Sequence, residues 1–160
     1  MNQKRIARCL IGAGGMAAAG VLIVFGVYVP VLANEMKQLY PEYAPLYWPG
    51  LIGLWCVAAL FLLGLWEYFR VCGRIGQERS FCAENARSLG RIALYMALDG
   101  ALWLGAVFAP GLVFHLDIGP VFILFLLCAL ASFALSILAW GLGRLVQKAA
   151  VLQEENDLTV

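Results

Sequence analysis

One acid in this chain stands where water does not reach. Asp99 lies eight residues past Arg91, inside the apolar run Ile92–Phe114. An ionised carboxylate there costs about 2.5–3.5 kcal/mol on insertion scales, while each Leu, Ile, Val or Phe returns roughly 0.5 kcal/mol. Ten such residues occupy the run, so the helix still enters a membrane with Asp99 turned toward other helices rather than lipid. Two chemistries are open to it: relay of a proton or cation, or a protonated carboxyl that holds helices together. Small multidrug transporters carry their coupling acid in the first helix, and the interior of the first apolar run here has none. The holding role is therefore the favoured expectation.

Its partners follow from the connection. Only six residues, His115–Pro120, join this run to the next, Val121–Leu145, so the two form an antiparallel hairpin. Reflection about the middle of the connection, between Asp117 and Ile118, sets Asp99 level with Ser136 and Trp103 level with Ser132. The two serines are four residues apart and share a helix face. The expectation is an intramembrane polar site of Asp99, Ser132 and Ser136.

Other chemistry is poorly supplied. Cys9, Cys56, Cys72, Cys82 and Cys128 share no paired spacing, and His115 is the single histidine, so no metal or cofactor site is expected. The run Gly12-Ala13-Gly14-Gly15 follows no strand and fails as a phosphate loop. With no nucleophile–base pair either, the expectation is a protein that is not an enzyme.

The elements that must position Asp99 come from composition. Of 160 residues, 63% are apolar and 13% charged, against about 45–50% and 25% in soluble domains. This excludes a soluble globular enzyme and a disordered chain. A bilayer core of about 30 Å takes about 20 helical residues, and four runs qualify: 6–33, 46–69, 92–114 and 121–145. They are continuous rather than alternating, which excludes barrel strands. The sequence Val31-Leu32-Ala33 suits a signal peptidase, but the apolar run before it exceeds a 7–15-residue signal core, so it is expected to remain as a span. The predicted fold is all-α: a single integral membrane four-helix bundle over residues 1–160, with the lipid bilayer as its first partner.

Ten of the eleven basic residues fall at one end of these spans, leaving Lys37 alone at the other. The positive-inside rule then places both termini and the connection 70–91 in the cytoplasm of a bacterial inner membrane. Tyr28, Tyr40, Tyr43, Tyr47 and Trp48 cluster at the opposite end as an interfacial belt. Small residues recur at four-residue spacing in Ala101, Gly105 and Ala109 and in Gly15 and Ala19. Packing within one bundle is the favoured reading of these stripes, and a homodimer through the first helix is the alternative.

The connection 70–91 carries five Arg against Glu78 and Glu84. Gly73 and Gly76 interrupt its start, and Ser80 suits the N-cap of a helix running into the third span. Arg74, Arg79, Asn85, Arg87 and Arg91 are expected to form a docking surface, or else to meet lipid headgroups. The last helix is expected to run to about Leu152, leaving the acids Glu154, Glu155 and Asp157 before Leu158-Thr159-Val160. That tail would add a strand to a partner's sheet or latch onto the arginines.

The stretch Arg79-Ser80-Phe81-Cys82-Ala83-Glu84-Asn85-Ala86-Arg87 and the ending Glu154-Glu155-Asn156-Asp157-Leu158-Thr159-Val160 resemble a bacterial membrane family catalogued as domain of unknown function 2975. Its members have a Pro-Phe-x-x-x-Asn loop entering the third helix and an acidic Glu-x-Asp-Leu-Thr-Ile/Val tail. This chain departs at Ser80, where the family has Pro, and at Glu78, where Gly is common. The resemblance implies four helices, no catalytic residue, and a cytoplasmic helix-turn-helix transcription regulator as partner. Direct nucleic-acid binding is not expected of the membrane chain itself.

Overall fold

A computed structural model of the chain describes residues 3–77, 81–114 and 119–158. It is helical throughout, with four helices long and apolar enough to cross a membrane. The first rod is α1 (Gln3–Ile23), a π-helical turn (Val24–Tyr28) and α2 (Val29–Leu39). A 3₁₀ segment (Pro41–Leu46) leads into α3 (Tyr47–Gly76), followed by α4 (Ala83–Phe114) and α5 (Gly119–Leu158).

The π turn has an identifiable cause. Pro30 lacks an N–H and its ring collides with the preceding turn, so the helix widens before it. Val29 N–H reaches back to the Val24 carbonyl in this wider register. The matching donor for the Phe25 carbonyl would be Pro30, which has none. Trp55 of α3 supplies it instead, its indole Nε1–H donating to Phe25 O at 3.1 Å. The defect in one helix thus becomes a tie to the next. Further along, Tyr68 O–H donates to the Leu10 carbonyl at 3.0 Å, and Gly14 lies under the Tyr68 and Phe69 rings.

The helices lie in chain order. The first rod packs on α3, α3 on α4, and α4 on α5, the last pair most extensively. Among the described residues, α1 has no close backbone approach to α4 or α5, and α3 has none to α5. The predicted bundle is therefore an open series of antiparallel neighbours. Ala101, Gly105 and Ala109 are exposed, as are Gly15 and Ala19, which corrects their expected use in packing within the chain. Close approach falls to other glycines, above all Gly100 under the Phe133 ring and Gly143 against the α4 backbone.

The helices also overrun the apolar runs. The predicted connection 70–91 shrinks to residues 77–82, because α3 continues through Gly73 to Gly76 and α4 begins at Ala83. A helical glycine costs only about 1 kcal/mol, and Gly76 sits closely against Ala7 of α1. At the start of α4 the Cys82 carbonyl accepts the Asn85 and Ala86 N–H groups. The expected cap Ser80 lies outside the described residues. The tail is corrected too: α5 passes Leu152 and ends at Leu158. Residues 144–155 hold no Gly or Pro and are rich in helix formers, so the helix carries on into the acidic tail. Thr159 and Val160, the end of the segment expected to add a strand, lie outside the described residues. At the end opposite the basic cluster, Tyr40 and Tyr43 stack edge to face at 6.1 Å and Lys37 stands over the Tyr47 ring at 5.1 Å.

Candidate functional site: two buried acids between neighbouring helices

Asp99 is 3% exposed and lies between α4 and α5. Its Oδ2 accepts a hydrogen bond from Ser132 Oγ at 2.7 Å. Ser136 does not reach it; its hydroxyl donates to the Ala93 carbonyl at 2.7 Å. The expected level of Asp99 with Ser136 is thus off by one helical turn. The reason lies in the helix ends. With α4 stopping at Phe114 and α5 starting at Gly119, the hairpin's centre falls one residue earlier than the middle of the assumed connection. That shift moves the position opposite Asp99 from Ser136 toward Ser132, which takes the carboxyl. Gly119 begins α5 at φ +37°, a left-handed conformation that glycine adopts without strain.

The Ser132 hydroxyl has two acceptors in reach, Asp99 Oδ2 and the Cys128 carbonyl at 3.0 Å, and one proton to give. Asp99 Oδ1 is buried without a partner. Interhelical hydrogen bonds of this kind average about 0.6 kcal/mol in membrane proteins and reach about 1.7. Ser132→Ala is therefore expected to lower stability by that amount in reversible unfolding from mixed micelles. Ser136→Ala should change it little, because the Ala93 carbonyl lies inside α4 and keeps its backbone partner.

A second buried acid went unrecognised in the sequence. Glu67 of α3 is 4% exposed. Its Oε1 accepts Arg70 Nη1 at 3.3 Å, from the next turn of α3, and Arg91 Nη1 at 3.2 Å, from α4. Its Oε2 is buried without a partner. Flanked by Trp66 and Tyr68, Glu67 reads as an interfacial residue at the end of a span. The available signal was its i, i+3 spacing to Arg70.

One turn on, Arg74 points inward. Its Nη1 donates to Asn85 Oδ1 and Ser88 Oγ at 3.1 Å each and approaches the Glu84 carbonyl at 3.5 Å. Asn85 and Ser88 are 1% and 0% exposed. Of the expected docking residues, Arg74, Asn85 and Arg91 are thus engaged between α3 and α4. Arg87 faces outward, 72% exposed and 3.9 Å from Glu84, and Arg91 keeps 46% of its side chain exposed while it pairs with Glu67. Arg79 lies outside the described residues. Glu154, Glu155 and Asp157 sit on the last turns of α5, with Glu155 exposed.

These features coincide with a known pattern. The family model described as protein of unknown function DUF2975 matches residues 31–160. The chain belongs to this family. The family's loop motif therefore acquires a structural role here, since its asparagine is Asn85, the residue on which the Arg74 guanidinium closes. The chain is also similar to the uncharacterized membrane protein YoaS of Bacillus subtilis strain 168. The two are 29% identical over 162 residues, covering 98% of this chain and 94% of that one. No solved structure matches it. The chain is a membrane protein of a family whose function is open.

Proposed function

We propose that this DUF2975 member is a non-enzymatic membrane protein whose basic end faces the cytoplasm and presents the end of α5 to a cytoplasmic regulatory protein. The observation that carries this is the length of α5. Its 40 residues span about 60 Å at 1.5 Å per residue, twice the hydrocarbon thickness. The register that pairs Ser132 with Asp99 brings Lys148 level with Ala83, where α4 begins. The ten residues 149–158 therefore continue beyond the surface of α4. Val151 and Leu152 are 50% and 65% exposed on this segment, and the acids follow directly.

A short helix with exposed apolar side chains and an acidic end suits helix-in-groove recognition rather than strand addition. The family resemblance implies a helix-turn-helix transcription regulator as the partner class, and the acidic end suits a basic protein of that kind. Full-length protein in detergent is expected to capture such a regulator encoded beside it, and a chain ending at Leu152 is expected to lose it. Capture by neither, with helical content intact, would remove the proposal. The orientation has its own test: a C-terminal reporter active only in the cytoplasm should be active.

The unpartnered Asp99 Oδ1 favours a second reading, proton or cation transfer along the α4–α5 seam. Flux in liposomes that disappears in Asp99→Asn would assign that role. Equal flux from both proteins would leave Asp99 as a tie between helices.

A further inference from the structure

The packing of α4 on α5 leaves a groove of about 350 Å³ on one side of the pair. Gly90, Ala93 and Ala97 of α4 face Ser136, Ile137 and Trp140 of α5 across it. Leu94 also lines the α4 side, but the small residues beside it make the space, and a Cβ at Gly90 would meet nothing within 4 Å. The Ser136 hydroxyl in its wall is folded onto the Ala93 carbonyl, which leaves the groove apolar save for the Trp140 indole N–H. From Gly90 to Ala97 it runs about 10 Å along the helix. That is the depth of the outer part of an acyl chain and too short for a protein helix. Ile137 and Trp140 are 68% and 56% exposed, so the groove opens sideways to lipid.

Its mouth is cationic. Arg87 precedes Gly90 by three residues on α4, and Arg144 follows Trp140 by four on α5. The Asp99–Ser132 register sets Arg87 and Arg144 at the same height. The Arg144 guanidinium lies 5.4 Å from the centre of the Trp140 ring, a contact that holds it at the groove's edge. The Arg87–Glu84 pair at 3.9 Å is exposed and competes weakly. Two guanidinium groups above an apolar slot match a phosphodiester above an acyl chain.

We infer that this groove is a binding site for one anionic phospholipid from the leaflet at the basic end. Arg87 and Arg144 hold its phosphate, and an acyl chain lies against Gly90, Ala97 and Trp140.

Native mass spectrometry of the full-length protein in detergent, titrated with phosphatidylglycerol or phosphatidylcholine of identical chains, tests this. Phosphatidylglycerol should be retained in preference, and Arg87→Gln and Arg144→Gln should each reduce that preference about five-fold. Gly90→Leu, which fills the slot, should lower retention of both lipids and leave their ratio unchanged. Ala97→Leu provides an independent filling variant should Gly90→Leu disturb the hairpin. Equal retention of the two lipids, or full retention in both filling variants with helical content preserved, would overturn the site. Displacement of the lipid by inorganic phosphate alone would also overturn it, since it would show an anion site without a chain-binding groove.

Discussion

Arg74→Ala is expected to be the most damaging single truncation in this protein, at about 2–4 kcal/mol. The side chain crosses from α3 to the first turns of α4 and gives both protons of Nη1 to Asn85 Oδ1 and Ser88 Oγ at 3.1 Å. Both acceptors are shut away from solvent, at 1% and 0% exposure. A hydrogen bond from a charged donor contributes about 1.5–3 kcal/mol, and removing one partner leaves the other desolvated. Truncation therefore strips two buried groups at once. The measurement is reversible unfolding in mixed micelles, with hydrogen exchange over Asn85–Leu89 as a local readout. Arg74→Lys, which keeps the charge and loses the planar fork, should fall between wild type and alanine. Ser88→Ala combined with Arg74→Ala should be markedly less than additive. Strict additivity would show that the contact contributes nothing.

Gly143→Leu is the second large effect, at about 3 kcal/mol or more. A Cβ at this position would stand 3.3 Å from the Ala86 carbonyl oxygen and 3.3 Å from Leu89 Cβ. Neither atom is the end of a flexible side chain, so the α4 and α5 backbones must separate. Overpacking a close contact costs about 1–3 kcal/mol, occasionally more, and here it falls on the most extensive helix pair. The separation would also lengthen the 2.7 Å contact of Ser132 with Asp99. Gly141→Leu is the matched control, two residues away with nothing within 4 Å of its added Cβ. The same unfolding measurement should show it near wild type. Leucine gains helix propensity over glycine at both positions, so equal losses at the two would show that the Gly143 contact is not their cause.

How much of this could be read from residues alone divides along physical lines. Apolar runs report where lipid begins and ends, and the four spans follow directly from them. They do not report where a helix ends, since nothing in water forbids a helix to continue. For that reason α3 and α5 pass the predicted boundaries, while α4 begins at Ala83, just after the cap expected at Ser80. Asp99 is legible as an inward residue because its cost in lipid is so large. Its partner is less so: a serine every turn offers two candidates, and the position of the hairpin's centre decides between them. Charge at Arg74 and Arg91 suggests an outward surface, yet Arg74 turns inward onto Asn85 and Ser88, and Arg91, still half exposed, reaches Glu67. Glu67 is hard to read in the sequence because its neighbours Trp66 and Tyr68 give it the signature of an interface. The indole of Trp55 closing the gap left by Pro30 depends on a packing angle that one-dimensional patterning does not encode.

The serial arrangement of the helices bears on how the molecule is made. Apart from the approach of the Pro41–Leu46 segment to α4, every close approach among the described elements joins a helical rod to itself or to its neighbour in the chain. Each hairpin can therefore settle while the remainder is still being synthesised, without waiting for a distant partner. Short-range topologies of this sort also fold fast. Vectorial assembly of that kind would have α5 close onto an α4 already seated against α3.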